Sequence, residues 1–167
     1  WVTSIIDNWY LSMMYFKSSL SNATTSKNFT NSKQPKIDIN LATKEQLMEV
    51  FGIGDKLSDG IIKYRTKLQG FSYDNQIFEV WGIDNEVGER VLQKFVVMKK
   101  PQITQKNIND LSFKDLLKEP YMEYELVKKI FNLKKAGWKI YSMDGLKKID
   151  GFPLDKFEKI SLYLKAE

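Results

Sequence analysis

The stretch with the clearest capacity for chemistry is Gly52-Ile53-Gly54-Asp55-Lys56. Glycine suits a chain that must take φ > 0 or let another group come close to its backbone. A helix that starts just after Gly54 has first N–H groups with no partner inside the helix, and these carry a partial positive charge. Such a terminus is a ready anion site. Gly52 and Gly54 have no side chains to block the approach, and Ile53 between them is an apolar plug. Asp55 can cap the following helix, and Lys56 adds a direct charge in its first turn.

Other chemistries are narrowed by what is missing. The 167 residues contain no histidine and no cysteine. That removes the commonest general base and metal ligand, the thiolate nucleophile and any disulfide frame. Catalysis through carboxylates or lysine is all that is left, and the expectation is a protein that is not an enzyme. The net charge of +5 permits a polyanionic partner without demanding one. Apolar residues make up 43% and charged residues 28%, the balance of a soluble globular chain. No apolar stretch reaches the roughly 20 residues needed to span a bilayer. The chain opens on Trp1 rather than methionine, and it is read as a fragment, so that any targeting signal upstream is not visible in it.

The hairpin needs helices on either side, and the pattern supplies them. Thr43 with Gln46 forms a capping box that starts a first helix. Leu47, Val50 and Phe51 are its expected buried face. A second helix carries Leu57, Ile61, Ile62 and Tyr64 and ends near Gly70, a plausible C′ glycine. The nine residues from Gln46 to Gly54 return from Gln76 to Asp84, with five identical positions. An internal repeat of this kind governs the whole fold. The second copy has Ile77, Val80 and Trp81, then the hairpin Gly82-Ile83-Asp84, then Val87, Val91, Leu92 and Phe95. The block recurs at an offset of 69: Asn40 maps to Asn109, Leu47 to Leu116, Ile61 to Ile130 and Gly82 to Gly151. Gly70-Phe71 returns as Gly137-Trp138, two residues early. Phe51, Phe71, Trp81 and Trp138 fall at core or inter-unit positions and are expected to pack, with base-stacking platforms as the alternative.

The predicted fold is all-α, with two tandem paired helix–hairpin–helix domains at 37–98 and 107–167 joined by a basic connector at 99–106. A polar linker, 21–36, and an amphipathic helix, 1–20, precede them. In that helix Ile5, Trp9, Met13, Phe16 and Leu20 share one face. It suits docking on this chain or self-association with a second copy. A membrane-surface segment is the alternative, for which Lys17 alone supplies little positive charge.

The run Asp38-Ile39-Asn40-Leu41-Ala42-Thr43, with Glu45 and Leu47, then Gly52-Ile53-Gly54-Asp55-Lys56-Leu57 and Ile61-Ile62 with Tyr64-Arg65, resembles the helix-hairpin-helix domain of the bacterial competence DNA receptor (ComEA-like) family. The resemblance covers 37–96 well and 107–165 weakly. It implies a compact SAM-like bundle that holds double-stranded DNA through backbone phosphates, without sequence preference. The implied contacts are Gly52, Ile53, Gly54, Asp55 and Lys56, with Lys63 and Arg65 nearby. Gly82 and Gly151 are secondary candidates. The resemblance further implies a monovalent cation held in some members by hairpin carbonyls, and a membrane-anchored or extracytoplasmic setting with a role in DNA uptake. No other cofactor and no small-molecule substrate is implied.

The four hairpins are not equal. Gly54 corresponds to Asp84, Glu123 and Pro153, and Lys56 to Glu86, Glu125 and Asp155. A carboxylate repels a phosphate, and proline lacks an N–H donor. The third hairpin, Pro120-Tyr121-Met122, has lost both glycines. Only the first matches the anion-binding pattern. A second reading therefore stands beside the first: a protein-interaction scaffold whose units have lost nucleic-acid binding.

Overall fold

The computed structural model of the protein describes residues 35–167. The predicted helix at 1–20 and nearly all of the predicted linker at 21–36 lie outside the described residues. From Ile37 onward the elements follow the repeat. Strand β1 (Ile37–Asp38) leads to α1 (Lys44–Met48) and α2 (Asp55–Lys67), then to a 3-10 segment (Asp74–Glu79), α3 (Asn85–Lys94) and β2 (Phe95–Val96). The second half gives β3 (Lys106–Asn107), α4 (Phe113–Leu116), α5 (Tyr124–Lys135), two 3-10 segments (Met143–Lys148 and Leu154–Lys156), α6 (Phe157–Ile160) and β4 (Leu164–Lys165).

The strands correct an all-helical expectation. Ile37 pairs with Phe95 and Asp38 with Val96, in parallel; Lys106 pairs with Leu164 and Asn107 with Lys165 in the same way. Each half is thus clasped where its chain enters and leaves. Lys106, assigned to the connector, lies in this second clasp.

Local chemistry explains the helix boundaries. The Thr43 Oγ1 accepts from Gln46 N, and the Gln46 side chain accepts in return from Thr43 N at 3.0 Å, so the predicted capping box is formed. Ser112 does the same work for α4 by accepting from Asp115 N. Asn40 fastens the turn after β1 to the far end of α2: its Nδ2 donates to Phe71 O at 3.0 Å and its Oδ1 accepts from Phe71 N at 2.7 Å. Asn109 makes the same two bonds to Ile140. Ile140, not Trp138, therefore takes the place of Phe71. The shift predicted in that loop lies in the chain between helix end and buried anchor.

The halves are packed together by a polar joint. Tyr64 and Tyr121 both donate to the Glu79 carboxylate, at 2.7 and 2.8 Å, and Lys159 pairs with the same group. Gln76 is fully buried, yet all its groups are used. Its Oε1 accepts from Ser72 N and Tyr73 N, and its Nε2 donates to the Tyr121 hydroxyl at 2.7 Å. Tyr163, also fully buried, donates to Leu68 O across the joint. Buried polar groups satisfied this completely favour one arrangement over its neighbours.

Candidate nucleic-acid interface

All four hairpins make one turn. Ile53 N donates to Val50 O, Ile83 N to Val80 O, Met122 N to Glu119 O and Phe152 N to Ile149 O. The third residue of each has positive φ: Gly52 at 97°, Gly82 at 87°, Tyr121 at 65° and Gly151 at 73°. That is the arrangement of a type II turn, which favours glycine at this place. The fourth residue is the predicted plug, with Ile53, Met122 and Phe152 buried.

Glycine at the first two turns also lets them meet. A Cβ added to Gly52 would fall 2.9 Å from Val87 in the first turn of α3, and one added to Gly82 would fall 3.0 Å from Leu57 in the first turn of α2. Each hairpin thus sits on the helix that the other hairpin starts. The two turns and the two helix N-termini form one end of the first half.

The termini at that end differ in one decisive respect. Asp84 caps α3: its Oδ1 accepts from Val87 N at 2.8 Å. Gly54 stands at the same place before α2, and no side chain caps that helix. An added Cβ at Gly54 would meet nothing within 4 Å, and its φ of −99° suits any residue. Conformation does not require glycine here; what glycine provides is an open path to the first amides of α2. The neighbouring acid is partly offset, because Lys44 bridges Asp55 and Asp59 at 2.7 Å each. Those two carboxylates hold the Lys44 ammonium above its ordinary pKa. Lys56 and Lys63 are exposed, and neither forms an ion pair among the described residues.

Arg65 is placed differently from expectation. Its Nη1 donates to Ile39 O at 2.9 Å and to Ala42 O at 2.8 Å, inside the turn before α1. Burial holds its pKa below the ordinary arginine value. This guanidinium ties a loop and does not face the hairpin. Lys134 repeats the role in the second half, donating to Ile108 O, Asn109 O and Leu111 O, with burial lowering its pKa.

The cation that does reach the first hairpin is Arg90, which composition and spacing gave no reason to select. Its Nε donates to Phe51 O at 3.0 Å, and its guanidinium lies 5.5 Å from the centre of the Phe51 ring. In the first hairpin Val50 O accepts from Ile53 N, and Phe51 O accepts from Arg90.

Two aromatics correct the packing expectation. Phe71 is buried and Trp138 half-buried, but Phe51 is 84% exposed and Trp81 94% exposed. Both occupy the second position of their turn.

The secondary candidates are modified. Gly82 precedes the carboxylate cap of Asp84, and at Gly151 the Lys129 ammonium donates to the Asp150 carbonyl at 2.6 Å. Among the described residues no group of acidic side chains is placed to hold a metal ion, and no helix is long and apolar enough to cross a membrane.

Residues 32–96 match the helix-hairpin-helix motif. The motif is generally associated with non-specific DNA binding. The match covers the half that carries the uncapped hairpin and stops at the end of β2. No curated protein matches the chain.

Proposed function

We propose that the protein is a sequence-independent DNA-binding module. It holds a backbone phosphate at the open N-terminus of α2, with Gly52, Ile53 and Gly54 shaping the approach and Lys56 and Arg90 adding charge. The observation that carries this reading is the missing cap: Gly54 leaves free the amides that Asp84 occupies one repeat later. A phosphate there gains hydrogen bonds and the field of a 13-residue helix. Backbone contacts carry no base information, so affinity is expected to be independent of sequence. The ComEA-like resemblance supports the same reading and extends it to DNA uptake.

The second half reads as a second, altered helix–hairpin–helix pair. The recurring turn, the Asn109 bonds and the Lys134 bonds support that repeat. For this half the scaffold reading is favoured. Tyr121, at the turn position of the third hairpin, is bonded into the joint, and Glu123 precedes α5 where Gly54 precedes α2. We further propose that neither half is catalytic.

Replacing Gly54 by Asp copies the chain's own capped hairpin. Fluorescence anisotropy with a labelled duplex is expected to show affinity at least about tenfold weaker, the size of a lost charge-assisted contact plus added repulsion. Unchanged affinity would remove the first hairpin as the site.

A further inference from the structure

Phe51 and Trp81 stand at the same turn position of two hairpins that rest on each other's helices, and both side chains are almost wholly in solvent. A single exposed aromatic needs no explanation, whereas two at one end of a half are a feature to account for. The equivalent residues of the second half are Pro120, which is buried, and Asp150. At this turn position, exposed rings therefore occur only in the two hairpins of the first half; Tyr124 and Tyr141, exposed in the second half, stand outside the turns.

Cations and carboxylates both stand around the rings. Arg90 covers one side of Phe51 and donates to its carbonyl. Glu86 is drawn to Arg90 at 3.4 Å, and Asp84 is turned onto Val87 N. Glu86 stays largely exposed, and Asp55 and Asp59 share the single Lys44, so carboxylates remain at this end beside Lys56, which makes no ion pair among the described residues. Flat π-faces beside a phosphate contact are the composition of a base-stacking platform, and such stacking tolerates any sequence because every base has a π-face. In intact duplex DNA the base faces are stacked on each other. They become available at a gap or in a single strand.

We propose that Phe51 and Trp81 stack on unpaired bases, so that the module prefers gapped or single-stranded DNA to an intact duplex. This rests on the phosphate reading of the first hairpin. The rings discriminate strand state; the amides of α2 supply the backbone contact common to all DNA.

The test is anisotropy with the full chain and three probes of one sequence: an intact duplex, the same duplex with a short gap, and the single strand. The gapped and single-stranded probes are expected to bind at least about tenfold tighter than the duplex, within the range of one or two stacked bases. The double variant Phe51→Ala/Trp81→Ala is expected to remove most of that preference, with a far smaller effect on the duplex. Trp81→Phe, which keeps a π-face, is expected to retain it. Equal binding of all three probes, unaltered in the double variant, overturns the stacking role and leaves the phosphate reading standing. Absence of binding to every probe overturns both. If the double variant instead abolishes binding to anionic lipid vesicles, or dissociates a dimer, while DNA binding is unaffected, the rings face lipid or a second copy and the proposal fails.

Discussion

At the scale of single residues, the contrast between Gly54 and Asp84 joins stability to function. A side-chain cap stabilises a helix, and glycine at that place is weaker than aspartate by a few tenths of a kcal/mol. Gly54→Asp has an allowed φ and open space for its side chain. It is therefore expected to raise the melting temperature slightly while weakening DNA binding, a combination that misfolding cannot produce. Arg65→Ala is expected to behave in the opposite way. It removes two hydrogen bonds to the carbonyls of Ile39 and Ala42, at a cost of about 1–3 kcal/mol, with DNA affinity of the folded protein unchanged. Urea denaturation beside anisotropy separates the two. Thr43, Gln46 and Gly54 were legible in the sequence because caps and hairpins are set by residues within a few positions of each other. Arg65 and Arg90 were not, because their partners lie 23 to 39 residues away along the chain.

At the scale of elements, the same short-range logic misread two aromatics. A helical period places Phe51 beside Leu47 and Trp81 beside Ile77. But α1 ends at Met48 and the 3-10 segment at Glu79. Beyond those ends the period no longer applies, and the turn directs both rings outward. Helices this short are held by tertiary packing rather than by propensity, so sequence pattern overextends them. The third hairpin shows the reverse. Its lost glycines suggest an altered turn, yet Tyr121 keeps positive φ and the turn survives. Its hydroxyl links Gln76 to Glu79. Tyr121→Phe is expected to leave the buried Gln76 amide short of a partner and to cost about 1–3 kcal/mol, read as a lower denaturation midpoint.

At the scale of the whole molecule, the repeat at an offset of 69 revealed that there are two similar halves. It did not reveal the joint, which is built from residues that differ between the halves: Glu79, Tyr121, Lys159 and Tyr163. The joint has a pH signature. Burial, and for Tyr64 and Tyr121 the Glu79 carboxylate as well, pushes three phenols up from an ordinary value of 10.0, Tyr163 to about 12. A pKa raised in the fold contributes stability that is present below the unfolded value and lost as pH rises through the folded one. Stability is thus expected to decline above about pH 10. Absorbance of tyrosinate should show these three of the eight tyrosines titrating late and together with unfolding.

The central claim is that the uncapped first hairpin holds a DNA phosphate, and a salt titration tests it most directly. A labelled duplex of about 20 base pairs is titrated with wild type and with Gly54→Asp at several salt concentrations. Wild type is expected to bind with a log–log salt slope of about −2 or steeper, reporting a few neutralised phosphates. The variant is expected to bind more weakly at every salt, with a shallower slope. No wild-type binding at low salt up to about 100 μM, the weak end of non-specific affinities, or identical curves for the two proteins, would contradict the claim.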